Sequence, residues 1–177
     1  RDYYASRGLG DVYKRQLYSI ITLMAIAMLF PITAFAQAYV QTWDLVDSGK
    51  HLDYDGNSTY MSYINTGAAT WNAYKSGVIR KDSAFVVEDV YVSDVNASNG
   101  WAGMTYSSGK IELNTYYMSG YSNSKKQNVA THELGHALGL DHSTSTDVMD
   151  AAITGHTSTQ ALSQNDKDSY DAAYNNY

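Results

Sequence analysis

Three histidines and one glutamate have the residue types and the spacing that metal-assisted hydrolysis requires. His132 and His136 are four residues apart, so on a helix their imidazoles project from one face and can meet on one ion. Glu133 follows the first histidine directly, and His142 lies six residues after the second. Three histidine ligands leave the fourth position of a tetrahedral zinc ion open for water, as in catalytic zinc sites.

Glu133 stands where a general base is needed, because it can reach a metal-bound water without occupying the metal. Zinc lowers the pKa of bound water from about 15.7 to about 7. A carboxylate beside it can accept the proton and later deliver it to a leaving amine. The pattern therefore predicts zinc-dependent peptide hydrolysis without a serine or cysteine nucleophile, and the chain contains no cysteine.

The third ligand requires the chain to turn back toward the metal. Gly139 ends the predicted helix, and a residue without Cβ can take positive φ and reverse the chain sharply. We expect this turn to bring His142 to the metal. No glutamate follows Glu133 in the sequence, which excludes a zinc site that takes its third ligand from a glutamate on a later helix.

The segment from His132 to His142 resembles the zinc-binding motif of the metzincin metalloproteases, H-E-x-x-H-x-x-G-x-x-H followed by a Met-turn. All fixed positions of the motif are present. Met149, seven residues after His142, is the Met-turn candidate. The resemblance implies that this methionine packs beneath the metal-binding histidines and is not itself a ligand.

Among the metzincins, the chain is most similar to the matrixins, particularly small bacterial ones. The similarity extends from about Tyr39 to the C terminus but is strong only from Lys110 onward. The segments that show it are Gly109–Asn114, Asp141–Ser143 and Leu162–Asp166. It implies an α+β zincin fold, in which a mixed, mostly parallel twisted sheet combines with three helices. One of these helices carries the active site.

The resemblance also implies a protein or peptide substrate that lies along an edge strand, expected at Gly100–Tyr106. Residues 150–157 are then expected to line the pocket for the side chain that follows the cut. Asp150-Ala151 replaces the usual Tyr-Pro after Met149, which leaves the shape of that pocket open. Only His51 and His156 remain as further histidines, so no second zinc is predicted.

The hydrophobic pattern predicts the elements that position these residues. Strands are expected at 39–45, 83–93, 101–106 and 110–118, and a turn at Asp53–Asn57. One helix is expected to follow a cap at Asn57 or Ser58 and to end at Gly77. The active-site helix is expected to begin with a capping box at Ser124 and to end at Gly139, and a last helix to begin near Ser163.

The N-terminal part of the chain is predicted to be a targeting segment. The basic pair Lys14-Arg15 is followed by an apolar run from Leu17 and by the A-x-A sequence Ala34-Phe35-Ala36, as in a secretory signal peptide, which we assign to residues 17–36. We expect cleavage after Ala36, with Ala38 as second choice and an uncleaved membrane anchor as the alternative. The residues before Lys14 fit no signal-peptide start, and residues 1–16 are interpreted as a non-native or read-through segment.

Residues 37–177 are therefore predicted to form one catalytic domain. They contain 16 acidic and 8 basic residues, and this acidic balance argues against binding nucleic acid through phosphates. We expect a secreted monomer without stable membrane association after signal cleavage.

The function predicted from these patterns is a secreted zinc endopeptidase with one catalytic zinc ion. The alternative is a secreted binding or adhesion module that keeps zinc only for stability. Calcium is a second candidate ion, because Asp53, Asp55 and Asn57 offer oxygen ligands. A simple capped turn is the alternative explanation of that segment, and Asp89 and Asp94 are equally weak candidates.

Overall fold

Residues 16–18, 37–83 and 87–177 are described in the computed structural model. The chain divides into two units, residues 1–35 and residues 36–177. In the first unit only a helical turn at 16–18 is described, so the predicted read-through segment and nearly all of the predicted signal peptide lie outside the described residues. No helix among the described residues is long and apolar enough to cross a membrane.

The second unit is built on a five-stranded sheet with the order β2-β1-β3-β5-β4. All neighbouring pairs are parallel except β4 with β5, which is antiparallel. The predicted mixed, mostly parallel sheet is therefore confirmed, and β4 lies at one edge. The strands are β1 (Leu52–Gly56), β2 (Ile79–Lys81), β3 (Val90–Val95), β4 (Gly103–Tyr106) and β5 (Lys110–Asn114).

Three long helices accompany the sheet, as the resemblance implied, and together they make the α+β fold. They are α1 (Met61–Asn72), α3 (Asn123–Ala137) and α4 (Gln164–Asn176). A single turn, α2 (Thr115–Met118), joins β5 to α3, and a 3-10 turn spans Ile153–Gly155.

One buried cluster joins the sheet to the helices. Trp71 of α1 and Tyr170 of α4 are fully buried, and their rings meet edge to face with centroids 5.5 Å apart. The indole Nε1 of Trp71 donates a 2.9 Å hydrogen bond to the carbonyl oxygen of Thr131, which joins α1 to α3. The cluster also contains Leu52, Ile64, Val90, Val92, Ile111, Leu113 and Leu134.

Two predicted elements are wrong. Residues 39–45 form no strand; they make only an isolated bridge between Val40 and Leu140. The predicted turn at Asp53 is the strand β1, because Leu52 and Tyr54 are buried in the core and the backbone pairs with β2 and β3. The residue types of this segment favour a turn locally, but pairing with β2 and β3 and burial in the core outweigh that preference.

Several predicted boundaries also move. The strand predicted at 83–93 is β3, which begins at Val90 and reaches Val95; residues 84–86 lie outside the described residues. The helix expected to end at Gly77 ends at Asn72.

Other changes concern residues whose side chains form hydrogen bonds at the ends of elements. The strand predicted at 110–118 ends at Asn114, whose side chain caps α2 by accepting from the backbone N–H of Tyr116. Ser122, not Ser124, caps α3. Ser58 is not the N-cap of α1, because the helix begins after Tyr60. The Ser58 hydroxyl donates to Asp94 and accepts from the backbone N–H of Tyr60, in the turn before the helix.

Candidate metal centre and active site

The helix α3 and the turn that ends it carry the candidate ligands. The helix stops at Ala137, and Gly139 follows with a φ of +83°, as predicted for the residue that reverses the chain. A side chain at this position would also meet the Cβ of Asp44 at 3.0 Å. The turn therefore requires glycine for its backbone conformation.

The three predicted histidine ligands converge. One ring nitrogen from each of His132, His136 and His142 lies within 4.8 Å of the others. The Nε2 atoms of His136 and His142 are 3.2 Å apart. Two zinc ligands about 2.0–2.1 Å from the ion at tetrahedral angles lie about 3.3 Å from each other, so this separation fits a shared zinc ion.

Backbone carbonyls orient two of the imidazoles. His132 Nδ1 lies 2.8 Å from the carbonyl oxygen of Val148, and His136 Nδ1 lies 2.8 Å from that of Leu140. A carbonyl can only accept, so each Nδ1 carries the proton and each Nε2 presents its lone pair. The amide nitrogen of Gln41, which sequence reasoning missed, donates to the same Leu140 carbonyl oxygen at 2.9 Å.

Burial keeps these imidazoles in the neutral form that a metal ligand requires. Burial, together with the neighbouring His136, lowers the pKa of His132 to about 3. Burial also lowers the pKa of His136. Neutral imidazole nitrogens are ligands that zinc prefers, so the donor set at this site suits zinc.

Glu133 lies in the same cleft as the histidines and is only 5% exposed. The hydroxyl of Thr105 in β4 lies 2.7 Å from its Oε2 and donates to it. Burial raises the pKa of Glu133 to about 7, although the hydrogen bond from Thr105 opposes this shift. The carboxyl group is therefore placed beside the candidate metal position with a pKa suited to proton transfer near neutral pH.

Met149 packs against α3 between the first two histidines. It is 1% exposed, and a Cβ added to Gly135 would lie 2.3 Å from its Sδ and 2.9 Å from a ring carbon of Trp71. Gly135 is therefore explained by close packing. The location of Met149 agrees with the predicted Met-turn.

Asp166 holds the Met-turn from the start of α4. Its carboxylate accepts hydrogen bonds from the backbone N–H groups of Val148 at 2.9 Å and Met149 at 3.1 Å. It also accepts from the N–H of Ser163 at 2.8 Å, which completes the capping box of α4. The start of α4 near Ser163 was predicted, but neither its capping box nor the contact of Asp166 with the Met-turn was.

A cleft of about 400 Å³ opens over the histidines and Glu133. Residues 100–105 line it on one side, and Ala151, Ile153 and Thr154 line it on another part of its wall. These are the segments in which the substrate-binding edge and the pocket wall were expected. Beside this wall, Nε2 of His156 lies 2.8 Å from Asp150 Oδ2, and only 20% of the His156 side chain is exposed.

The buried side chain of Asn114 fixes the rim of this cleft, and sequence reasoning did not identify it. Its Nδ2 lies within hydrogen-bond distance of the carbonyl oxygens of Ala97 and Trp101 and of Asn99 Oδ1. Its Oδ1 accepts from the backbone N–H of Ala97. The loop that leads into β4 therefore depends on one amide at the end of β5.

Among the described residues, the one acidic group that could hold an ion contains the calcium candidates Asp53 and Asp89 but not Asp55 or Asp94. The carboxylates of Asp47, Asp53 and Asp89 lie within 4.8 Å of one another. However, the guanidinium group of Arg80 donates to both carboxylate oxygens of Asp53, at 2.9 and 2.5 Å, and supplies the opposing charge. Calcium binding therefore stays a prediction.

Comparisons with known proteins agree with this geometry. The matrixin family model matches residues 33–175. The fold is similar to that of archaemetzincin from Methanopyrus kandleri, with a TM-score of 0.52 and 12% identity over 73% of this chain and 99% of that one. Comparison with curated protein sequences finds no significant match.

The matrixin family model together with the converging histidines defines a zinc metallopeptidase, and the sheet and the three long helices give it a metzincin-type fold. More narrowly, the chain belongs to the matrixin family of peptidases, whose model covers nearly all of the second unit.

Proposed function

We propose that the protein is a secreted endopeptidase that hydrolyses peptide bonds with one catalytic zinc ion and Glu133 as general base. The observation that carries this proposal is the convergence of His132, His136 and His142 in a cleft that also contains the Glu133 carboxyl group. A site that served only stability would not need a proton acceptor beside an open ligand position.

Each residue has a distinct task in this mechanism. Zinc held by the three imidazoles would supply an acidic water with a pKa of about 7 and polarise the scissile carbonyl. Glu133 accepts the proton of the attacking water and returns it to the leaving amine, which keeps the overall proton count balanced. The Val148 and Leu140 carbonyls hold the imidazoles of His132 and His136 in the ligating orientation.

The edge strand β4 supports a peptide substrate. Among the described residues β4 pairs only with β5, so its second edge is free to bond an extended chain. Residues 100–105 of this segment also line the cleft. An extended peptide added along this edge would gain main-chain hydrogen bonds and would run past the histidines.

Removal of the metal is expected to abolish hydrolysis. The purified protein, with zinc quantified on the same sample, should cleave casein, lose this activity in 1,10-phenanthroline and regain it when zinc is added back. A sample that binds zinc stoichiometrically yet cleaves neither casein nor a mixed peptide library would contradict the endopeptidase and favour the zinc-stabilised binding module.

Secretion has a separate test. Expressed in a bacterial host with its N-terminal segment, the protein should reach the medium or the periplasm as a soluble chain that begins at Gln37, or at Tyr39 for the second cleavage choice. A chain that stays in the membrane fraction with residues 17–36 attached would contradict both the cleavage and the location.

A further inference from the structure

The two carboxylate oxygens of Glu133 have different surroundings. Thr105 Oγ1 lies 2.7 Å from Oε2 and donates to it. Among the described residues, no group donates a hydrogen bond to Oε1. One oxygen of this buried carboxylate is therefore anchored, while the other keeps its lone pairs available.

The edge strand creates this asymmetry with two residues on the same face. Gly103 and Thr105 are two positions apart in β4, so both side-chain positions face α3. A Cβ at Gly103 would lie 2.5 Å from Oε1 and 2.7 Å from Cγ of Glu133. Gly103 therefore provides the space that Glu133 occupies, and Thr105 provides the hydrogen bond that holds it there.

Thr105 is well suited to this task. It is buried at 9% exposure, and its β-branched side chain has few accessible χ1 rotamers. Its hydroxyl also lies 2.9 Å from the backbone carbonyl oxygen of Glu133, so the same hydroxyl can donate to the backbone of α3 and help to hold β4 against that helix. A purely structural role is the alternative that a test must separate.

We propose that Thr105 is a positioning residue that anchors Glu133 through Oε2 and thereby selects Oε1 as the oxygen that receives the proton of the attacking water. This inference rests on the proposed function of Glu133 as general base. It assigns to the substrate-binding edge strand a second task, which is to fix the rotamer of the base.

The kinetic test compares Thr105→Val, which keeps the shape and removes the hydroxyl, with Thr105→Ser, which keeps the hydroxyl. Thr105→Val should lower kcat by about 10- to 100-fold, the effect of losing one hydrogen bond to a charged group, and change KM by less than about twofold because substrate contacts remain. Thr105→Ser should restore most of kcat. Zinc stoichiometry should be similar in both variants, while Thr105→Val should melt at a lower temperature than Thr105→Ser, because it leaves buried oxygens of Glu133 without their donor.

A second test does not depend on activity. The chain has three glutamates, Glu88, Glu112 and Glu133, so a protein labelled with ¹³C at the glutamate carboxyl carbon gives three side-chain signals. The Glu133 signal is assigned by its loss in Glu133→Gln. It should move in Thr105→Val, return toward its wild-type position in Thr105→Ser, and leave the other two signals unchanged in both.

The outcomes separate this inference from the proposed function. A wild-type protein that cleaves no peptide contradicts the proposed function, while the carboxyl signals still test the contact itself. Wild-type kcat in Thr105→Val, or equal losses in Thr105→Val and Thr105→Ser, would overturn the role of the hydroxyl. If Thr105→Val fails to fold, Thr105→Ala removes the hydroxyl with less apolar bulk and gives the same comparison.

Discussion

Replacing Glu133 with glutamine is expected to lower kcat by about 100- to 10,000-fold, the usual contribution of a general base. Glutamine keeps the shape of the side chain and can still accept from the Thr105 hydroxyl, which lies 2.7 Å from Oε2 in the wild type. It cannot take a proton from water. The histidines are untouched, so the variant should bind zinc as the wild type does.

The stability of the metal-free variant is an informative control. Burial raises the pKa of the Glu133 carboxyl from 4.5 to about 7. The folded protein therefore holds this proton more tightly than the unfolded chain does. As a result, the contribution of Glu133 to the free energy of unfolding is largest below a pH of about 4.5 and is lost as the pH rises through about 7. Glu133→Gln should therefore be at least as stable as the wild type at pH 8, as measured by thermal unfolding of both zinc-free proteins.

Full activity in Glu133→Gln with normal zinc content would show that another group transfers the proton. Activity lost together with zinc would indicate a structural effect of the substitution. Peptide hydrolysis, zinc content and the unfolding curve, all measured on one preparation, distinguish these results from loss of the base alone.

Replacing Asp166 with alanine is expected to be the most destabilising single change near the site. The carboxylate is fully buried and accepts from the N–H groups of Val148, Met149 and Ser163. Alanine leaves these buried donors without their acceptor, at a cost of about 1–3 kcal/mol each. We expect the free energy of unfolding to fall by about 3 kcal/mol or more in chemical denaturation.

The same substitution should weaken zinc binding, although Asp166 is not a candidate ligand. Val148 connects the two effects, because its N–H donates to Asp166 and its carbonyl oxygen lies 2.8 Å from His132 Nδ1. Loss of the partner that orients a ligand typically lowers metal affinity about 10- to 100-fold. Competition with a chromogenic chelator measures this change.

Asp168→Ala is the matched control for Asp166. It removes a carboxylate from the same helix, but one that is partly exposed and, among the described residues, accepts a hydrogen bond from Gln164, about one turn earlier in α4. It should leave both stability and zinc affinity nearly unchanged. Equal effects of the two substitutions would show that α4 itself, and not the contact with the Met-turn, is responsible.

Local spacing was enough to predict the metal-binding part of the site. The separation of His132 and His136 by four residues places both on one helix face wherever that helix lies. Gly139 ends the helix through its own backbone freedom, and its φ of +83° agrees with that prediction. Such features depend on residues that are close in the chain, so the sequence contains them in full.

The surroundings of Glu133 could not be predicted in this way. Thr105 is 28 residues from Glu133 in the chain, and Gly103 offers no chemical signal at all. Asn114 looked like one more residue of a strand, yet its amide organises the rim of the cleft. These contacts exist only because packing brings β4, β5 and α3 together.

The sequence alone thus determined the candidate ligands, the base and the glycine turn, because each follows from side-chain chemistry and the period of one helix. Tertiary structure decided which carbonyls orient the imidazoles, which hydroxyl anchors the base and which carboxylate holds the Met-turn. The physical reason is that a buried polar group must find a partner wherever the folded chain supplies one. Sequence distance places no limit on that partner, as Asp166 and Val148 illustrate.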